Sequence, residues 1–199
     1  MNTESLNRKK NRPLLSVIVP LYNDKSYINQ CIDSILINKS EEIEVVISDD
    51  HSDDGSVDIC KSYKDSRIKI YKPSKPLGTE NNWLYGLNKA EGEYIYFLAG
   101  DDYLMKGILD RVINDFDGDS VYSAPINCFD DRTLEIINKQ SYPEQFKRTF
   151  EQFANRGFIY NYLNYYNHDE LVLSFFPRKK LLPVNKFLHY SVSCIFWCW

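Results

Sequence analysis

The first 116 residues alternate between two patterns of hydrophobic positions. Short apolar runs predict buried strands at 14–20, 43–47 and 94–98, and alternating polar and apolar residues predict a further strand at 67–71. Apolar residues spaced by three or four positions after each run predict amphipathic helices, the last of them with Met105 facing inward. Ser56 is expected to cap the second helix. Four strand–helix repeats predict an α/β fold, a parallel sheet with helices on both faces.

The pattern weakens beyond residue 120. Strands are predicted at 121–124, 133–137 and 171–176, and a helix is predicted at 144–154. A short helix is expected to begin at 177. This part of the chain is therefore expected to be a smaller mixed region rather than a continuation of the parallel repeat.

Three of the predicted strands end in polar residues. Tyr22 and Asn23 follow the first strand, Asp49 and Asp50 follow the second, and the fourth ends in Gly100, Asp101 and Asp102. The carboxyl ends of parallel strands lie at one edge of a sheet, where ligands bind in such folds. Paired carboxylates at a strand end suit a divalent cation that carries phosphates. The alternative is a solvated strand end, and this is the interpretation favoured for Asp53 and Asp54, in the turn before a helix.

Two common phosphate-binding motifs are missing from the sequence. No Gly-x-Gly-x-x-Gly follows the first strand, and no Gly-Lys-Ser/Thr loop occurs. The cleft is therefore expected to hold its ligand with carboxylates and a metal. His51, between the two groups of acids, is interpreted as incidental.

Composition narrows the class of protein. Hydrophobic residues make up 43% of the 199 residues and charged residues 26%, as in globular proteins, and the net charge of −4 gives no reason to expect a nucleic-acid partner. The odd number of cysteines, five, suggests reduced thiols and a cytoplasmic location. Residues 1–13 are expected to be a flexible basic leader, and its weak attraction to anionic lipid at the inner face of a membrane is a hypothesis. No apolar run is long enough for a membrane span.

Three segments together resemble the family 2 glycosyltransferases, which have the GT-A fold. They are residues 17–23, 49–56 and 90–102, each at a predicted strand end. The resemblance is strong over 15–116 and faint afterwards. It implies a Rossmann-like sheet, a nucleotide-sugar-binding half over 14–118, and an acceptor-side portion over 119–199 that belongs to the same domain and is incomplete.

The resemblance also implies an activity and its residues. The family transfers a sugar, usually with inversion, from a nucleoside-diphosphate donor to an acceptor hydroxyl, here expected to be from a UDP-sugar to a saccharide or lipid-linked acceptor of surface polysaccharide or glycolipid. Asp102, together with Asp101, would bind Mn²⁺ or Mg²⁺. The positions implied for the nucleotide are Pro20, Tyr22, Asn23, Asp50, Gly78, Asn82 and Asp101.

The sequence departs from the family pattern at several points. Ala99 stands where many relatives have an aspartate, and an arginine common in the segment from Gly78 to Asn82 is missing. The stretch 189–197, where an acidic catalytic base is expected, holds no carboxylate, which leaves Asp169 and Glu170 as candidates. The chain also stops in an apolar run where relatives continue. A shortened, catalytically impaired nucleotide-sugar-binding remnant is therefore an alternative. A nucleotidyltransferase is less favoured because 21–24 is not a glycine-rich basic loop.

Overall fold

The computed structural model describes residues 12–116, and beyond them only the strand segments 121–123, 127–129, 136–139, 147–148 and 174–177. The elements of the first part alternate as the sequence predicts: β1 (Leu15–Leu21), α1 (Ile28–Leu36), β2 (Ile43–Asp49), α2 (Ser56–Ser62), β3 (Ile68–Tyr71), α3 (Thr79–Lys89), β4 (Tyr94–Phe97) and α4 (Ile108–Asp115). The later strands are β5 (Val121–Ser123), β6 (Asn127–Phe129), β7 (Ile136–Lys139), β8 (Lys147–Arg148) and β9 (Ser174–Pro177).

Seven of these strands form one mixed sheet in the order β3-β2-β1-β4-β9-β5-β8. The first four strands are parallel, and β9 joins β4 in the antiparallel direction. β6 and β7 form a separate antiparallel pair. The predicted α/β class, with a parallel first half and a small mixed second portion, is confirmed.

Helices cover both faces of the parallel strands. On one face, Val17 and Val19 of β1 share a core with buried residues of α1, α2 and α4, and Tyr94 stacks on Phe116 with 3.8 Å between ring centroids. On the other face, α3 lies against the sheet, and its Trp83 packs on Phe97 at 5.0 Å. This arrangement leaves the carboxyl ends of β1, β2 and β4 uncovered at one edge.

Close packing of α3 depends on a glycine. A Cβ on Gly86 would lie 2.6 Å from Ile18 Cγ2 and 3.3 Å from Ser48 Cβ, so the helix could not keep its position with a larger residue there. α3 also carries Asn82 and Trp83, both buried. The glycine therefore fixes where these two side chains lie.

Several predictions of local structure were wrong. No helix begins at 177, since Pro177 is the last residue of β9 and pairs with Tyr94. The N-cap of α2 is Gly55, and Ser56 is the first helical residue, with its N–H donating to Asp54 Oδ1 at 2.9 Å. Met105 is 59% exposed because α4 begins only at Ile108, so Met105 lies outside the helical stripe. Residues 147–148, inside the helix predicted at 144–154, form β8 instead and pair with β5. Pairing with a neighbouring strand overrides local periodicity there.

A buried polar cluster links the parallel strands near their amino-terminal ends, opposite the carboxyl ends. Glu44 Oε1 accepts hydrogen bonds from Ser16 Oγ at 2.5 Å and from the Glu91 N–H at 2.6 Å, and Lys69 Nζ lies 2.8 Å from Glu44 Oε2. These bonds hold the pKa of Glu44 below its usual value, against the effect of burial.

Within the described part of the chain, no helix has both the length and the apolarity needed to cross a membrane.

Candidate functional site

A cavity of about 530 Å³ opens at the uncovered edge of the sheet. Its walls come from the ends of β1, β2 and β4 and from the loop that leads into α3. The lining residues are Pro20, Leu21, Tyr22, Asp24, Asp50, His51, Pro76, Gly78, Thr79, Asn82, Trp83, Ala99, Gly100 and Asp101. Three of them are acidic, and none is a lysine or an arginine. The edge is the one at which parallel α/β sheets bind ligands.

Asp50 holds the loop before α3. Its side chain is buried, and its Oδ1 accepts the Leu77 N–H at 2.7 Å while its Oδ2 accepts the Gly78 N–H at 2.8 Å. Gly78 has a φ of 76°, a conformation that glycine adopts without strain. Each carboxylate oxygen has two lone pairs, so Asp50 retains the capacity to accept a hydrogen bond from a ligand.

His51 contacts the same loop from the next position along the chain. Its backbone has a φ of 67°, which is uncommon for residues other than glycine. Its Nε2 lies 3.0 Å from the Pro73 carbonyl oxygen. A carbonyl can only accept, so Nε2 carries the proton and donates.

Negative charge collects between β1 and β4. Burial raises the pKa of Asp24 to about 6, with further increases from Asp101 and Asp54, although the N–H of Tyr22 opposes the shift. Partial desolvation by the surrounding residues and the charge of Asp101 raise the pKa of Asp102 to about 6, although Asp102 is exposed to solvent. Among residues 12–116, the ion pairs are formed by Asp49, Asp65, Glu44 and Glu91 rather than by Asp24, Asp101 or Asp102. These carboxyls therefore lie in surroundings that a cation would stabilise.

The number of carboxylates limits how a cation could bind. Within the described residues, no group of three or more His, Cys, Asp or Glu side chains is arranged to hold a metal ion. A site based on Asp101 and Asp102 would supply only two carboxylate side chains as protein ligands. That number is adequate for Mg²⁺-like cations that take their remaining oxygens from substrate phosphates and water.

The two asparagines predicted to bind nucleotide are both engaged within the protein. Asn23 does not line the cavity; its N–H donates to Ser52 Oγ at 3.1 Å, and its Oδ1 accepts the Asp53 N–H at 2.9 Å. Asn82 lines the cavity but is 2% exposed, and its amide bonds to the backbone and hydroxyl of Ser48. Asn23 thus links the loops after β1 and β2, and Asn82 anchors α3 to β2.

The Glycosyl transferase family 2 model matches residues 16–171, more than three quarters of the chain. The chain belongs to glycosyl transferase family 2. The membership inferred from the three sequence segments is therefore confirmed.

Among similar proteins are two that are named glycosyltransferases and one that is named a teichoic acid biosynthesis protein. The chain is 38% identical over 106 residues to an uncharacterized glycosyltransferase of Haemophilus influenzae, covering 52% of this chain and 42% of the relative. It is 31% identical over 164 residues to the putative glycosyltransferase EpsH of Bacillus subtilis, covering 76% and 46%. It is 38% identical over 122 residues to the minor teichoic acid biosynthesis protein GgaB of Bacillus subtilis, covering 59% and 13%. The chain thus spans less than half the length of each of these relatives.

A solved structure shares the fold. Residues 1–349 of S. aureus TarS superpose with a TM-score of 0.58 at 23% identity, covering 84% of this chain and 48% of that one. TarS 1–349 has also been solved in complex with UDP-GlcNAc. The GT-A fold expected from the sequence is thereby confirmed.

Most of the predicted nucleotide positions share one cavity. Its lining includes Pro20, Tyr22, Asp50, Gly78, Asn82 and Asp101. Asn23 and Asp102 lie outside the lining, and Asp169 and Glu170 lie outside the described residues.

Sequence reasoning missed eight residues of the lining, among them Asp24, His51 and Trp83. For Asp24 a signal existed, since it is an acid two residues beyond Tyr22 at a strand end. The spacing of Trp83 was that of a core residue. For His51 the sequence offered no signal, because its role depends on a loop more than twenty residues away.

Proposed function

We propose that this chain transfers a sugar, with inversion, from a UDP-linked donor to an acceptor hydroxyl in the synthesis of a surface polysaccharide or glycolipid. The observation that supports it best is the cavity itself, where acids from separate strand ends meet and no lysine or arginine belongs to the lining. GgaB, a relative, is a teichoic acid biosynthesis protein, and TarS, which shares the fold, has been solved with UDP and UDP-GlcNAc. UDP is therefore the first nucleotide to test.

The lining offers a contact for each part of the nucleotide. Tyr22 is 62% exposed, so its ring is free to pack against a base. Asp50 has lone pairs left to accept a base N–H, and Asp101, which lines the cavity from the β4 side, would accept hydrogen bonds from ribose hydroxyls. Gly78 brings a backbone without a side chain to the wall, so a ligand can approach closely.

Asp102 and Asp101 would hold the divalent cation, Mn²⁺ or Mg²⁺. The raised pKa of Asp102 beside a second carboxylate, with no described lysine or arginine paired to it, fits such an ion. When bound, the cation would neutralise the charge that develops on the leaving diphosphate.

The acceptor side is assigned from the sequence alone. In an inverting displacement the acceptor oxygen bonds to the anomeric carbon as the bond to UDP breaks, and a carboxylate takes the hydroxyl proton. Asp169 or Glu170 is the base in this proposal. The acceptor is a saccharide or a lipid-linked saccharide. We place the reaction at the inner face of the membrane, with the basic leader as a weak contact to anionic lipid.

Turnover measurements test the proposal. We expect UDP release from a panel of UDP-sugars in the presence of Mn²⁺ and an acceptor mixture. Asp102→Ala should reduce UDP release at least about 100-fold, because even residues that only hydrogen-bond to metal ligands are worth about 10- to 100-fold. Glu41→Gln, an exposed acid just before β2 at the opposite edge, is the matched control and should leave turnover unchanged.

Calorimetry with UDP and Mn²⁺ separates the outcomes. Binding without turnover would replace the transferase with a nucleotide-sugar-binding remnant. Neither binding nor turnover would refute the proposal as a whole.

A further inference from the structure

Residues 50 and 51 hold the two ends of the loop between β3 and α3. Asp50 accepts the N–H groups of Leu77 and Gly78, at the helix end of the loop. His51 donates from Nε2 to the carbonyl of Pro73, at the strand end. We propose that His51 is a positioning residue for the nucleotide pocket: it anchors this loop so that the cavity wall is already formed before a donor binds.

Other contacts lie at the ends of the loop. Tyr85 Oη donates to the Lys72 carbonyl oxygen at 3.3 Å, Lys72 Nζ lies 3.3 Å from Asp49 Oδ2, and Asn81 Nδ2 donates to the Leu77 carbonyl oxygen at 3.1 Å. Ser74, Lys75 and Pro76 are exposed, so the middle of the loop buries little surface. Pro73 and Pro76 restrict the backbone but donate no hydrogen bond. Loops of this kind open locally at low free energy unless their ends are fixed. Asp50 and His51 contribute to that fixation at Pro73, Leu77 and Gly78.

The loop matters to the site because it forms one wall of it. Pro76, Gly78 and Thr79 line the cavity, and Thr79 begins α3, the helix that carries Asn82 and Trp83. A shift at Pro73 would therefore move the wall, and it would also weaken the geometry with which Leu77 and Gly78 meet Asp50. A preformed wall raises affinity because the donor does not have to order it.

The backbone of His51 supports a role beyond filling space. Its φ of 67° lies in the left-handed region, which residues other than glycine adopt uncommonly, although His, Asn and Asp are enriched there. Strained residues persist where the surroundings fix them, and they concentrate at ligand sites. Here the left-handed backbone occurs together with the ring's hydrogen bond to the Pro73 carbonyl.

Two variants separate the ring from the backbone. Asn suits the left-handed conformation, but its amide nitrogen ends one atom short of the position of Nε2. Gln carries an amide nitrogen as far along the side chain as Nε2. We therefore expect His51→Asn to lose the bond to Pro73 and His51→Gln to retain much of it.

Deuterium exchange measures how well the loop amides are protected in the free protein, without any ligand. His51→Asn should increase deuterium uptake in a peptide covering residues 72–82, and His51→Gln should restore much of the protection. No increase in His51→Asn would overturn the proposal, and so would an equal increase in both variants, because the backbone rather than the donor would then be responsible.

Affinity for UDP with Mn²⁺ tests the consequence for the pocket, and this part rests on the proposed function. His51→Asn should weaken binding by about three- to tenfold, the worth of one hydrogen bond. With a turnover assay, KM for the donor should rise while kcat stays the same. If the wild type does not bind UDP, the proposed function and the donor-positioning role both fail, but deuterium exchange still decides whether His51 holds the loop. If His51→Asn increased deuterium uptake in the loop but left the affinity for UDP unchanged, His51 would contribute only to the stability of the loop. That result would overturn the positioning role.

Discussion

Asp24 retains its proton to a higher pH than aspartate in water does. Its folded pKa of about 6 exceeds the unfolded value of 3.8, so the native state binds more protons between these values. The charge of Asp24 therefore costs stability at pH 7, and that cost disappears as the pH falls below about 4. A residue that opposes folding at neutral pH is of interest when it lines a cavity.

Replacing Asp24 with asparagine should consequently stabilise the protein at neutral pH. We expect Asp24→Asn to raise the free energy of unfolding by about 1–2 kcal/mol at pH 7, less than the full shift because the residue is partly exposed, and by little at pH 4. Urea denaturation at the two pH values measures this. Asp53→Asn, an exposed acid nearby, is the control and should change stability by less than about 0.5 kcal/mol at either pH. A destabilised Asp24→Asn at pH 7 would contradict the argument.

The position of α3 is determined by packing rather than by helix propensity. Propensity alone favours Ala over Gly by about 1 kcal/mol in a helix interior. At Gly86, however, an added Cβ would meet Ile18 at 2.6 Å, and overpacking costs about 1–3 kcal/mol. The steric term outweighs propensity, so the helix depends on the residue that propensity disfavours.

Gly86→Ala should therefore destabilise the protein by about 1–2 kcal/mol in urea denaturation. Because Asn82 and Trp83 lie on the same helix and line the cavity, affinity for UDP with Mn²⁺ should fall as well. Asn88→Ala, on the exposed side of α3, is the matched control and should be neutral or slightly stabilising. If Gly86→Ala is as stable as the wild type, α3 can shift away from β1, and the argument from packing is wrong.

The elements followed from the sequence wherever burial decided them. β1, β2 and β4 lie where apolar runs predicted them, because a strand covered on both faces has few polar positions. The sequence also indicated that Asp50 and Asp101 share an edge, since parallel strands bring their carboxyl ends together. The contacts of His51 and Asn23 could not be predicted, because they depend on how two loops meet. The short strand β8 was missed because its pairing partner is distant in sequence.

At the scale of the whole molecule, charge decides how the site can take a diphosphate. The protein has a net charge of −4, and the cavity lining includes Asp24, Asp50 and Asp101 but no lysine or arginine. A nucleoside diphosphate is itself an anion, so its approach to this lining is unfavourable without a counter-ion. The cation and the nucleotide should therefore bind cooperatively, each raising the affinity for the other by the same factor.

Thermal unfolding with the ligands separate and combined measures that coupling. At about 100 times its dissociation constant, the pair of UDP and Mn²⁺ should stabilise the folded state by about 2.7 kcal/mol, which is about 5–10 °C in Tm for a chain of this size. UDP with EDTA, and Mn²⁺ alone, should each produce a much smaller shift, and Asp102→Ala should reduce the combined shift to the level of UDP with EDTA. Glu41→Gln should leave it intact. If UDP raised Tm equally in the presence of Mn²⁺ and of EDTA, the diphosphate would be bound by positive charges elsewhere in the chain. The pair of Asp101 and Asp102 would then not be a cation site.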